Sequence, residues 1–308
     1  SLLMAAPAAA AMAQDQIALF VNAMFASFLE PGSITAIYNA ARVIQFPISL
    51  FAAAAAAVAL PELSKYSAGN EPEKFGAALE GAFKTMSLII IPAALGLMAL
   101  SLPICRTLFE HGRFTREQSV LTAGVLFYLS LGLAGFGVNK LGTCACYGAG
   151  DAKTPVKIVL FQTALNAVLC FPLMRAMGVK GLALATALSS LAAAALFIRA
   201  LNTCVGAVTP VSSIQLPVTG YHAVPVTAVS PRTPNTMAAF YRRERGFYLK
   251  TLAASALMCA FSLGAARLFS GFHPAYTVAL AVPGGIAIYF GALKVFRLKE
   301  IFNLLSWT

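Results

Sequence analysis

Histidine, tryptophan and acidic residues are scarce in this chain: its 308 residues hold 11 Asp and Glu, three His and one Trp. The histidines, His111, His222 and His273, stand far apart and the carboxylates are scattered. No stretch therefore assembles the acid–base or metal cluster that an enzyme acting on a lipid-linked sugar would need near a membrane face. Cysteine is present six times, in or beside apolar segments, but never as CxxC and never with a neighbouring His. The cysteines read as reduced, small core residues, with no metal and no cofactor expected. Only 11% of residues are charged, against about 25% in a soluble domain. A basic n-region is missing too: SLLMAAPAAAAMA runs straight on into apolar sequence, unlike a signal peptide. The first residue is Ser1 and not Met, which reads as a fragment or a processed product.

What is abundant is apolar surface, 59% of residues. Segments of spanning length, about 20 residues, fall at 4–29, 34–62, 79–102, 118–147, 155–174, 180–203, 247–269 and 275–296. The expectation is an all-α polytopic membrane protein with about eight transmembrane helices. The net charge of +11 is spread over the connections between these segments, so it reads as topology and not as a nucleic-acid surface. Fourteen of the 22 Lys and Arg fall on one side of the alternating connections and six on the other, which places both termini in the cytoplasm.

Between the spans, residues 63–78 (LSKYSAGNEPEKFGAA) read as a charged loop. Gly112 reads as a turn, with Thr115 capping the following helix. In the turn before Pro155, Thr154 is the expected N-cap, with the proline at the first helical position. In GLALATALSS the small residues Gly181, Ala183, Ala185 and Ala187 read as a close-packing face. Residues 205–246 hold five prolines without a helical period and read as a mobile cytoplasmic linker. Its end, FYRRERGFYLK, places Arg242, Arg243, Arg245 and Lys250 beside the bilayer as topological anchors. The domain reading is thus 1–204 for a six-helix lobe, 205–246 for the linker and 247–308 for a C-terminal helix pair.

Three features within the spans carry polar chemistry. In ITAIYNAARVIQFPISLFAAAAAAVALPE (34–62), Tyr38, Arg42, Gln45 and Ser49 recur with helical spacing and form one polar stripe. An arginine near mid-bilayer costs about 2.5–3.5 kcal/mol on insertion scales, so it is expected to face protein or a wet cavity. Pro47 in the same helix removes a backbone hydrogen bond and should disturb it there. Lys140 lies deeper in its span than a lysine easily snorkels and reads as a second buried cation. Asn22 shares a helix face with Asp15 and reads either as a pathway group or as an interhelical hydrogen bond.

The stretches QIALFVNAMFASFLEPGSITAIYNAARVIQFPISLF (16–51), ALPELSKYSA (59–68), LFEHGRFT (108–115), YGAGDAKTPVKI (147–158) and GLALATALSS (181–190), in that order, resemble the MurJ/MviN lipid II flippases of the multidrug/oligosaccharidyl-lipid/polysaccharide exporter superfamily. The resemblance covers most of residues 1–204 and implies helices seven to fourteen of a fourteen-helix fold. That fold has two six-helix lobes and an extra C-terminal pair around a central cavity that opens alternately to each side. It further implies translocation of an undecaprenyl-pyrophosphate-linked peptidoglycan precursor across the bacterial inner membrane, with no covalent chemistry.

By the same resemblance, Arg42 would meet the pyrophosphate, for which a planar, permanently charged guanidinium is suited. Tyr38, Gln45, Asn22 and Lys140 join it as candidate substrate-binding residues; Gln45 stands where some members have glutamate. Some members bind sodium through helices corresponding to those of Asn22, Asn166 and Thr186. Here Asn22 and Cys170 stand where carboxylates would be expected, and no metal is assigned. The last two helices would line a groove for the polyprenyl tail. Partners implied are the lipid-linked precursor, membrane lipids, the first lobe and other cell-wall synthesis proteins. The competing readings are a flippase for another polyprenyl-linked glycan, a drug/cation antiporter of the same superfamily, an assembly scaffold, and a truncated remnant that does not transport.

Overall fold

A computed structural model describes residues 19–69, 71–151, 153–206, 244–269 and 274–296, and every element in it is helical. Helix α1 is described over 19–26. It is followed by α2 (Ser33–Pro47), α3 (Ala53–Ala68), α4 (Pro72–Ala99), α5 (Ser101–Phe109), α6 (Arg116–Leu131), α7 (Leu133–Gly148), α8 (Lys153–Met177), α9 (Val179–Gly206), α10 (Arg245–Leu268) and α11 (Pro274–Val295). Among the described residues five helices, α4, α8, α9, α10 and α11, are long and apolar enough to cross a membrane. The pair α6–α7 makes a sixth if counted as one bent span. Asp15, the proline-rich segment between α9 and α10, and its basic residues Arg242 and Arg243 lie outside the described residues.

Where the elements depart from the sequence reading, local chemistry explains it. The polar stretch 63–78 is not a loop: α3 runs to Ala68 and α4 starts at Pro72. Leu63, Phe75 and Leu79 are fully buried there, so these turns are amphipathic helix, with charged residues on the outer face. Pro72 suits the start of α4 because its missing N–H falls among donors that have no helical acceptor anyway.

Pro47 is followed by five residues of π-helix, Ile48–Ala52, where the disturbance was expected. The span 118–147 is two helices meeting at 48° around Gly132. Ser130 Oγ donates back to the Leu126 carbonyl at 2.7 Å, and a Cβ on Gly132 would sit 2.7 Å from the Ala187 Cα. A Ser/Gly pair pressed against a neighbouring backbone is a recognised cause of a kink.

Thr115 caps α6 as expected, and the capping box is complete: Gln118 N–H donates to Thr115 Oγ1 at 3.3 Å and Thr115 N–H to Gln118 Oε1 at 3.1 Å. At the start of α8, by contrast, the capping group is Asp151 and not Thr154. Asp151 Oδ1 accepts from Lys153 N–H at 2.9 Å and Thr154 N–H at 3.1 Å, and Oδ2 accepts from the Thr154 hydroxyl.

Helices α1 to α9 share one large apolar core, to which α10 and α11 contribute no fully buried residue. The small-residue face of α9 is as expected: Ala183, Ala185 and Ala187 are buried. A Cβ on Gly181 would stand 1.9 Å from the Leu173 carbonyl oxygen, so only glycine admits that approach of α8. The last two helices pack on each other, α10 also on α4 and α11 mainly on α5, and two small clusters join the pair to α4 and its end. One joins Leu88 to Phe247, Ala254, Met258, Tyr289 and Leu293, the other Leu100 to Ala265 and Ala281. Cys105, Cys144, Cys146 and Cys170 are buried and unbridged.

Candidate functional site

Helix α2 buries Ser33, Ala36, Ile37, Ala40, Ile44 and Pro47, one apolar face at helical spacing. Its opposite face carries Tyr38, Arg42 and Gln45, continued by Ser49 in the π-helical turn that follows, all exposed. Ser49 Oγ returns a hydrogen bond to the Gln45 carbonyl at 2.8 Å, so it is used by its own helix. The structure thus brings Tyr38, Arg42 and Gln45 onto one uncovered face, as their spacing predicts.

Beside that face lies a cavity of about 880 Å³. Arg42, Val43, Phe46 and Pro47 of α2 form one border. Residues of α4 from Leu88 to Leu97, Leu100, and Ile104, Leu108 and Phe109 of α5 form another. Met258 and Ser262 of α10, with Ala281, Val282, Gly285, Ile286, Tyr289 and Phe290 of α11, close the groove. Arg42 is the one charged side chain in this lining, and nearly everything else is aliphatic or aromatic. Such a groove suits a long apolar chain whose anionic end meets a single guanidinium.

The other candidates are placed elsewhere. Lys140, expected as a buried cation, is exposed on α7 between buried Asn139 and Leu141. It does not line the groove. Asn139 instead turns inward: its Nδ2 reaches Gln162 Oε1 at 3.2 Å and the Ser190 carbonyl and hydroxyl at 3.3 Å.

Asn22 is 5% exposed and belongs to a buried cluster joining α1, α8 and α9. Its Nδ2 donates to Thr186 Oγ1 at 2.8 Å, and Asn166 Nδ2 donates to the same oxygen at 3.1 Å. Thr186 in turn donates to the Leu182 carbonyl at 3.0 Å. The Cys170 thiol lies 3.4 Å from Asn22 Oδ1 and 3.7 Å from Asn166 Oδ1. The four residues weighed for sodium do come together, but as neutral groups. The Thr186 oxygen already accepts two N–H bonds, which leaves it no lone pair for a cation, and no carboxylate balances a charge. This donor set does not fit a resident sodium ion. Among the described residues no group of three or more His, Cys, Asp or Glu could hold a metal.

Several charged groups away from the groove are ion-paired. Arg106 Nε pairs with Glu110 at 2.9 Å, and Lys84 with Glu244 at 3.1 Å, tying α4 to the start of α10. Burial alone would raise the Asp151 carboxyl. The Thr154 hydroxyl, the backbone N–H groups of Thr154 and Lys153, and the Lys157 charge together hold it below its ordinary value.

Sequence reasoning missed the α4 and α5 wall of the groove. The signal available was Pro92, a proline in mid-span, which a membrane helix tolerates where a neighbouring helix meets the freed backbone group.

These features define a polytopic, all-helical membrane protein with an apolar groove that has a single cation at its border. Its relatives give the particular family. The family model for the lipid II flippase MurJ matches residues 2–230, and the chain belongs to that family. It is 32% identical over 184 residues to the probable lipid II flippase MurJ of Rickettsia prowazekii, covering 60% of this chain and 36% of that protein. It is 34% identical over 196 residues to the probable lipid II flippase MurJ of Vibrio cholerae, covering 64% and 37%. The chain therefore spans just over a third of the length of these curated relatives. Among solved structures, a lipid II flippase MurJ in an inward closed conformation superposes with a TM-score of 0.71 at 23% identity, over 94% of this chain and 53% of that one. At that identity the likeness speaks to the fold.

Proposed function

We propose that this chain carries a lipid-binding and translocating part of a lipid II flippase, which moves an undecaprenyl-pyrophosphate-linked peptidoglycan precursor across the bacterial inner membrane by alternating access. The observation that carries the reading is the single guanidinium, Arg42, at the border of an otherwise apolar groove of about 880 Å³. Arg42 engages the pyrophosphate, Tyr38 and Gln45 on the same face contact the headgroup, and the groove between α4 and the α10–α11 pair receives the polyprenyl tail. Lys140 adds charge outside the groove. In this reading residues 1–204 form the transporting lobe, 205–246 a cytoplasmic linker and 247–308 the tail-binding pair, with both termini in the cytoplasm. The substrate path is completed by the portion of the relatives that this chain does not span. No covalent step is required, so the energetics are those of binding and conformational exchange.

The test is rescue of a bacterium depleted of its lipid II flippase, with the chain expressed alone and then joined to a complete first lobe. Rescue on joining supports the reading. Failure of both, with stable membrane insertion, points to another polyprenyl-linked substrate or to a remnant that does not transport.

A further inference from the structure

Helix α4 contains Pro92, and a proline has no N–H to give. The carbonyl four residues earlier, Leu88, is therefore left without its helical donor, in a buried setting where an unmet acceptor is costly. The structure fills that vacancy from another helix. Tyr289 of α11, 4% exposed, donates its hydroxyl proton to the Leu88 oxygen across 201 residues of sequence.

Three further observations give this bond mechanical meaning. Leu88 and Tyr289 both belong to one of the two small clusters that hold the C-terminal pair to α4. The other cluster sits at Leu100, twelve residues on and about 18 Å along the helix. Leu88, Pro92, Leu100 and Tyr289 all line the groove, so its α4–α11 walls are pinned at these two points. Between them α10 packs closely on both walls at glycine: a Cβ on Gly96 of α4 would stand 2.9 Å from Met258 Cε, and one on Gly285 of α11 3.0 Å from Ser262 Oγ. The Leu88 cluster is thus the one that adds a directional bond to apolar contact.

We infer that Tyr289 is a positioning residue: its hydroxyl occupies the carbonyl that Pro92 frees, latches α11 to α4 and sets the separation of the groove walls. The latch itself is independent of what the groove carries. Only its effect on transport rests on the proposed function, and the test below uses no transport readout.

The latch predicts a specific coupling. Tyr289→Phe removes the hydroxyl and leaves the Leu88 carbonyl without a donor. Pro92→Ala restores the N–H at position 92 and gives that carbonyl its helical partner. The cost of Tyr289→Phe is therefore smaller when Pro92→Ala is already present, which is a non-additive pair.

The experiment purifies the chain in detergent and measures thermal unfolding for wild type, both single variants and the double variant. Pulsed EPR between nitroxides at Gly81→Cys and Val295→Cys, exposed positions near the Leu88 end of α4 and α11, follows the helix separation. The expected result is a melting point lowered by a few degrees and a broader, longer distance distribution for Tyr289→Phe, with both largely restored by adding Pro92→Ala. Strictly additive effects, or an unchanged distribution in Tyr289→Phe, would overturn the inference. If Pro92→Ala alone disrupts the fold, Tyr289→Phe still decides through the distance distribution.

Discussion

Two regions of this bundle place polar groups among apolar helices, and they resolve the problem in opposite ways. At the junction of α1, α8 and α9, Asn22, Asn166, Thr186 and Cys170 turn toward one another and satisfy one another under full burial. On α2, Tyr38, Arg42 and Gln45 are left uncovered beside a groove, with Arg42 in its lining. A neutral cluster that spends its own hydrogen bonds holds helices together. A permanent cation kept uncovered in a greasy chain is costly unless something else meets it.

Both regions can be broken selectively. Arg42→Ala should remove transport while leaving unfolding temperature and membrane level unchanged, because its side chain supports no buried contact; matched growth rescue and detergent melting measure both. Thr186→Val should do the reverse. It strips the shared acceptor from two buried amide N–H groups and should cost about 1–3 kcal/mol, read as a lower melting point in the purified chain. Thr115→Ala breaks the α6 capping box and should cost about 1 kcal/mol, with transport retained.

A smaller effect comes from Asp151. Its carboxyl is held below the ordinary value, so the stability it adds is present above the usual carboxylate range and is lost as pH falls through the lowered value. An acid melting series should show that loss, and Asp151→Asn should flatten it. Lys140→Ala should be the mildest for transport, since Lys140 lies off the groove; complete loss of rescue would place it on the pathway.

How far the sequence reveals these regions depends on whether the deciding partners are near in the chain. The α2 stripe is legible because helical periodicity alone puts Tyr38, Arg42 and Gln45 on one face. The Thr115 cap and the close approach at Gly181 are legible for the same reason: three residues, or one missing side chain, suffice. The polar stretch 63–78 misleads because polarity suggests a loop, while Leu63, Phe75 and Leu79 bury one face of continuing helix. Asn22 meets Thr186 across 164 residues, and the carbonyl vacated by Pro92 is met from α11. In neither case does the local sequence name the distant partner. The Gly132 kink depends on the Ala187 backbone arriving from α9, and no pattern around Gly132 states that it will.

The most direct test of the contrast is growth rescue by Arg42→Ala and Thr186→Val, each in the chain joined to a first lobe and compared at equal membrane levels. The account predicts that Arg42→Ala abolishes rescue although the protein melts like wild type, while Thr186→Val rescues despite a lower melting point. Rescue by Arg42→Ala at wild-type level would contradict it.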